Sequence, residues 1–143
     1  MNTLEQLTQV FNDNFTTYFR SHVAHVNIMG RNFASDHKLL GKVYEDLQSQ
    51  IDSIAELIRT LDGFMPNELM EVIQSSHIPS FPIDGSAETL ISEVRDDLEH
   101  LKSCYEDLIK VSEDEGHDEI ANYAQDRVLA LAKHIWMLKA TLE

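Results

Sequence analysis

"GFMPNELMEVIQSSHIPSFPIDGS", residues 63–86, decides how the rest of the chain is read. It holds all three prolines and two of the five glycines, so it does not continue a long helix. Apolar residues still recur at helical spacing inside it, which predicts one short helix begun by Pro66 in its first turn and ending near Gln74. On both sides the helical pattern is long and nearly unbroken. The stretch is therefore a crossover between two long helical hairpins.

Working outward, helix A is expected from about Leu4 to Met29, with Leu4, Leu7, Phe11, Phe15, Tyr18, Phe19, Val23 and Val26 as its apolar stripe and Gly30 marking its end. Helix B is expected to start near Ser35, a good N-cap residue, and to stop at Gly63. Its stripe is Leu39, Leu40, Val43, Tyr44, Leu47, Ile51, Ile54, Ile58 and Leu61. Helix C is expected from about Ser86 to Val111, with Leu90, Ile91, Val94, Leu98, Leu101, Leu108 and Ile109 inward. After the acidic turn "SEDEGHDE", residues 112–119, helix D is expected from about Asp118 to Leu142. No strand-like alternation, repeat or low-complexity tract appears. Four long helices, two short links and one long middle crossover match an all-α, ferritin-like four-helix bundle with a short extra helix in the B–C crossover. The 143 residues suit one domain, 1–143. Topology of this kind does not by itself give function.

Charge narrows the function classes. Twenty-five acidic residues against 11 basic ones leave a net charge of −14, which repels phosphate backbones and attracts cations. Arg20 is the first basic residue, and the chain ends at Glu143 without a basic tail, so DNA binding through a flexible cationic arm is not expected. No apolar run approaches a membrane span and no charged-then-apolar leader is present, so a cytoplasmic protein is the simplest expectation. The single cysteine, Cys104, excludes an internal disulfide and falls on an apolar face as a buried thiol.

One polar constellation stands out. His25 lies about one turn before the end of helix A, and His37 lies at the start of helix B. The short link makes A and B antiparallel neighbours, so both imidazoles sit near one end of the pair. Asp52 and Glu56 are four apart and emerge on one face of helix B beside Ile51, Ile54 and Ala55. Two adjacent acids next to a core stripe repel each other unless a cation lies between them. His37 and Asp52 are fifteen residues apart on one helix, or roughly 22 Å, so they do not share a metal within one chain. A two-fold axis packing helices antiparallel would instead bring one chain's histidines onto the other's carboxylates, giving two equivalent sites. An imidazole–carboxylate shell suits a divalent first-row metal such as iron, zinc or manganese. Spacing alone leaves both a metal site and a set of unrelated, satisfied polar residues open.

The stretch "HVAHVNIMGRNFASDHKLLGKVYEDLQSQIDSIAE", residues 22–56, resembles the signature of Dps proteins, small ferritin relatives that form hollow twelve-subunit shells. His25, Asn27, Gly30, Asn32, Phe33, His37, Tyr44, Asp52, Ala55 and Glu56 match at the family's spacing, and "KHIWMLKA", Lys133 to Ala140, resembles the family's last helix. The resemblance implies that His25 and His37 ligate iron from one subunit while Asp52 and Glu56 ligate it from the two-fold partner. It implies ferroxidase activity: Fe(II) oxidised by hydrogen peroxide or dioxygen, with the ferric mineral stored in a dodecamer and cells protected against oxidative stress. Zinc is a competitor for such a site.

There are departures from the family pattern. Val26 stands where a Trp is usual after the first histidine, and Leu57 stands where an Arg is usual. His77, in the crossover, and His22, one turn before His25, are candidate additional members of the metal site; capping or surface roles are the alternatives. His117, Asn122 and Asp126 match the positions that line the family's three-fold iron-entry pore, and Asp118 and Glu119 supply acids beside them. A carboxylate rim would draw Fe(II) inward. His100 and His134 are expected to be plain helix-surface residues. The competing reading is a DNA-coating nucleoid protein without significant ferroxidase activity; a bundle that only scaffolds a partner is a third.

Overall fold

The computed structural model describes residues 1–143 as five helices: α1 (Thr3–Asn27), α2 (Phe33–Thr60), α3 (Leu69–Ser75), α4 (Ala87–Asp114) and α5 (Asp118–Leu142). Cross-bundle contacts set their directions. Thr3 lies beside Glu115, Gln6 beside Cys104 and Arg20 beside Asp97, so α1 and α4 are antiparallel. Arg127 meets Asp46 and Tyr123 meets Gln50, so α2 and α5 are also antiparallel. With short links joining α1 to α2 and α4 to α5, helices α2 and α4 must run the same way. The crossover therefore climbs the whole bundle, which accounts for its length.

The core lies between the four long helices. Leu40, Leu47, Ile54 and Ile58 of α2, Leu98, Leu101 and Leu108 of α4, and Leu131 and Leu138 of α5 are fully buried. Each such side chain contributes about 2 kcal/mol by leaving water. Cys104 is buried as expected, and burial raises the pKa of its thiol.

Helix α1 corrects the expected stripe. Phe19 and Val26 point outward, about 60% exposed. Leu7 and Phe11 face the core as expected, Leu4, Phe15, Tyr18 and Val23 pack against it, and Val10 and Ala24 join them. The rest of the inner face is polar: Asn14 donates its side-chain amide to the Leu47 carbonyl, Gln6 to the Cys104 carbonyl, and Arg20 to Asp97. An apolar-periodicity argument misassigns such a face, because its buried positions are partly polar and its outer positions partly apolar.

Local boundaries also shift. Helix α1 stops at Asn27, two residues early, because Ile28 turns extended as the C-cap. Ser35 is not the N-cap of α2; Asn32 holds that place, and the Ser35 hydroxyl donates to the Asn32 carbonyl from inside the first turn. Pro66 is not in the first turn of α3, since extended Glu68 delays the helix to Leu69. Helix α4 runs on to Asp114, where Gly116, at φ 78°, breaks it. Helix α4 starts where expected, one residue after Ser86, which caps it by accepting from the Thr89 amide at 3.1 Å.

Candidate functional site

The α1–α2 link returns the chain so that His25, in the last turn of α1, meets His37, in the first turns of α2. The two imidazoles stack with centroids 3.8 Å apart and planes within 16°. Nδ1 of His25 lies 2.6 Å from the His37 carbonyl, and Nδ1 of His37 lies 2.7 Å from the His25 carbonyl. A carbonyl oxygen only accepts, so both Nδ1 atoms carry hydrogen and donate. In the neutral rings the lone pair then sits on Nε2, the form that ligates metal. Gly41 makes room for this arrangement, since a β-carbon there would fall 2.9 Å from Cε1 of His25. Phe33 stacks at 5.0 Å on His37.

His22 belongs to a neighbouring cluster. Its ring stacks on Tyr44 at 4.0 Å with planes within 1°, and its Nδ1 is 3.2 Å from the Tyr18 hydroxyl.

Asp52 and Glu56 are together, exposed on α2, and the hydrogen bond and charge of Asp52 raise the Glu56 carboxyl above its usual pKa. That is the electrostatic mark of two acids competing for one proton. The structure thus makes two pairs, His25–His37 and Asp52–Glu56, and does not join them. Within one chain no three His, Cys, Asp or Glu side chains converge on a common point.

His77 is placed by Asp13, a buried carboxylate of α1 that accepts from the His77 amide at 2.7 Å and from the Ser76 hydroxyl at 3.0 Å. Its ring is 70% exposed. Asp13 is twelve residues, or roughly 18 Å, along α1 from His25, so His77 stands apart from the imidazole pair of its own chain. Among the pore candidates, Asp118, Asn122 and Asp126 are exposed and His117 is half-buried, 3.8 Å from a Glu119 carboxylate oxygen. Beside them, Glu115 accepts from the amide and hydroxyl of Thr3 and ties this corner to the start of α1.

Two features escaped the sequence. His134 is not a plain surface residue: its Nε2 is 2.9 Å from Asp46, which also receives a two-pronged contact from Arg127 at 3.0 and 2.9 Å. Burial alone would raise the Asp46 carboxyl, but His134 and Arg127 outweigh it and hold the pKa at about 2. His100 is exposed as expected. The second feature is an apolar groove of about 550 Å³ between α1 and the crossover, lined among others by Phe15, Phe19, Leu69 and Phe81. Phe19, Leu69, Met70 and Phe81 are each more than half exposed, a patch of the kind that marks an association surface. A sequence signal existed in Phe19 and Val26, which widen the apolar arc of α1 beyond what one buried face needs.

No helix is long and apolar enough to cross a membrane. A family model for the ferritin-like domain matches residues 4–143. The DNA protection during starvation protein of Helicobacter pylori is 29% identical over 143 residues, covering 99% of both chains. Its namesake from Brevibacillus brevis is 30% identical over 127 residues, covering 88% of this chain and 85% of the relative. The X-ray structure of Dps from Listeria monocytogenes superposes with a TM-score of 0.94 at 24% identity, covering 99% of this chain and 94% of that one. With its parallel α2 and α4 and its full-length crossover, the chain belongs to the ferritin-like proteins and, within them, to the Dps family.

Proposed function

We propose that the protein is a mini-ferritin: it oxidises Fe(II) with hydrogen peroxide or dioxygen at sites shared between two subunits and stores the ferric product inside a dodecamer. The observation that carries this reading is the reciprocal bonding of His25 and His37, which leaves two neighbouring Nε2 lone pairs at one end of the α1–α2 hairpin. Two imidazoles are half of a site for iron. Asp52 and Glu56 are the other half, supplied by the two-fold partner, and their mutual repulsion is relieved when a cation lies between them. The apolar groove beside α1 supports a second copy as the partner.

The residues divide the work by chemistry. His25 and His37 select a transition metal over magnesium or calcium. Asp52 and Glu56 favour the ferric product by charge and give up the proton they share when the cation binds. Two Fe(II) oxidised together deliver both electrons that hydrogen peroxide needs to become water, so no hydroxyl radical escapes. Zinc occupies the same donors and inhibits. His77 of either chain joins if the interface brings the crossover over the carboxylate pair. Asp118 and Asp126, with His117 and Asn122, line the entry pore, where the net charge of −14 concentrates Fe(II). The whole chain acts as one domain, in the cytoplasm.

Co-assembly tests the shared site. Shells of His25→Ala/His37→Ala subunits and shells of Asp52→Ala/Glu56→Ala subunits should each lack rapid Fe(II) oxidation. Shells refolded from a mixture, with mixed composition verified by mass spectrometry, should regain it. No recovery in mixed shells would overturn the division between subunits.

A DNA-coating role is the second reading, and the names of the relatives favour it. The charge of −14 opposes it. Tight retardation of DNA at low salt without divalent metal would reverse that preference.

A further inference from the structure

A line of rings leads from His25 to a phenol that has a base beside it. Tyr44 lies 4.9 Å from His25, centroid to centroid. His22 stacks on Tyr44 at 4.0 Å, and the planes differ by 1°. The Tyr18 ring is 5.7 Å from His22 and 6.4 Å from Tyr44. Its hydroxyl oxygen is 3.2 Å from Nδ1 of His22, a hydrogen bond that the phenol donates when Nδ1 holds the lone pair. Tyr44 of α2 sits between His25 and His22 of α1, so the packing of the two helices holds it against both rings.

The pairing of Tyr18 with His22 differs from the other tyrosine environments. Tyr123 donates to the Gln50 amide oxygen, which cannot take a proton at ordinary pH, and the buried Tyr105 hydroxyl has no partner. Tyr18 is the tyrosine whose hydroxyl meets an imidazole. A phenol loses an electron readily only if its proton leaves at the same time, because the phenol radical cation is a strong acid. An imidazole nitrogen at the other end of a formed hydrogen bond accepts that proton without further motion.

We propose that Tyr18 is a one-electron donor to the chemistry at the His25–His37 end, with His22 as its proton acceptor and Tyr44 as the ring that carries the electron between them. The proposal rests on the ferroxidase reading. When two Fe(II) react with hydrogen peroxide, the metal supplies both electrons and Tyr18 is idle. When one Fe(II) reacts alone, it becomes Fe(III) and the peroxide O–O bond breaks to hydroxide and a hydroxyl radical. Tyr18 then supplies the second electron through His22, Tyr44 and His25, and the radical becomes a second hydroxide. The Tyr18 proton moves to Nδ1 of His22, leaving a neutral phenoxyl and an imidazolium. A later Fe(II) returns the electron, the proton returns from His22, and the pair is reset.

The test is freeze-quench electron paramagnetic resonance with less than one Fe(II) per site and excess peroxide. The unmodified shell should show a neutral phenoxyl signal. Tyr18→Phe keeps the ring but not the hydroxyl, and should lose the signal while spin-trapped hydroxyl radical rises. His22→Phe keeps a stacking ring but not the base, and should lose it as well. Tyr123→Phe, outside the line of rings, should keep it. An unchanged signal in Tyr18→Phe, or its loss in Tyr123→Phe, would overturn the assignment. A metal-free arm separates this proposal from the ferroxidase reading. Azide radicals generated by pulse radiolysis in the iron-free shell should leave a long-lived phenoxyl absorption that Tyr18→Phe removes. Persistence of that absorption in Tyr18→Phe sinks the relay, whatever the protein does with iron. Absence of Fe(II) oxidation in the unmodified shell would sink the ferroxidase reading instead.

Discussion

Gly41 and His25 occupy each other's space: a β-carbon on Gly41 would sit 2.9 Å from Cε1 and 3.2 Å from Nδ1 of the His25 ring. A glycine inside a long helix costs about 1 kcal/mol relative to alanine, so its presence in α2 needs a local reason. The ring is that reason. Gly41→Ala should gain helix propensity while forcing the ring away from the His37 carbonyl, a bond whose loss costs about 1 kcal/mol. We predict a thermal midpoint nearly unchanged, with Zn(II) affinity and the initial rate of Fe(II) oxidation both reduced. Isothermal titration against Zn(II), alongside thermal unfolding, checks this. Unchanged metal affinity would show that the ring orientation does not matter.

Asp46 connects α2 to α5 through Arg127 and His134, and its pKa of about 2 lies below the ordinary value of 3.8. A depressed carboxylate stabilises the fold above its unfolded pKa, and this contribution disappears as pH falls through the folded value. The window is therefore about pH 4 down to about pH 2. Asp46→Asn should cost about 2 kcal/mol at neutral pH, with the gap to the unmodified protein closing across that window. Urea unfolding at several pH values measures it. A gap that stays constant with pH would mean that packing, not charge, makes the contribution.

Arg20 and Asp97 form a buried ion pair at 2.7 Å, with Glu93 at 3.5 Å as a second acid. Burial raises Asp97 to about 6 despite Arg20, with Glu93 and Asp96 adding to the rise. A raised carboxyl binds its proton more tightly in the folded state, so acidification from about pH 6 towards about pH 4 strengthens folding through this group. Removing the cation with Arg20→Met should destabilise by about 3 kcal/mol at neutral pH. It should also move the pH at which stability begins to rise on acidification to a higher value. Denaturation midpoints between neutral and mildly acidic pH test this, and a midpoint of the variant that fell with acidification would refute it.

Phe19 and Phe81 line the apolar groove and are both largely exposed. Phe19→Glu places a charge where a second copy would bury a ring, and a carboxylate buried without a partner is strongly disfavoured. The variant should remain helical by circular dichroism but sediment as smaller species than the unmodified protein. Sedimentation velocity reads the outcome, and a sedimentation coefficient equal to that of the unmodified protein would exclude this groove as a contact between copies.

Much of the fold was legible because helical periodicity is a local property. The bounds of α5 and the start of α4 follow from nearby residues alone. Helix α1 was less legible. Its inner face carries Gln6, Asn14 and Arg20, whose burial makes sense only once their partners on α2 and α4 are known. His134 was misjudged for the same reason, since Asp46 is 88 residues away in sequence.

By itself, the sequence determined that His25 and His37 share one end of a helical hairpin and that Asp52 and Glu56 share one face, because helix rise and repeat make both unavoidable. Only the tertiary structure decided which ring nitrogens are engaged. The reciprocal bonds to the His25 and His37 carbonyls, the space that Gly41 leaves, and the stacking of His22 on Tyr44 all depend on how α1 and α2 meet. Hydrogen bonds and ring contacts are set over a few ångströms in three dimensions, and spacing along a chain does not reach that scale.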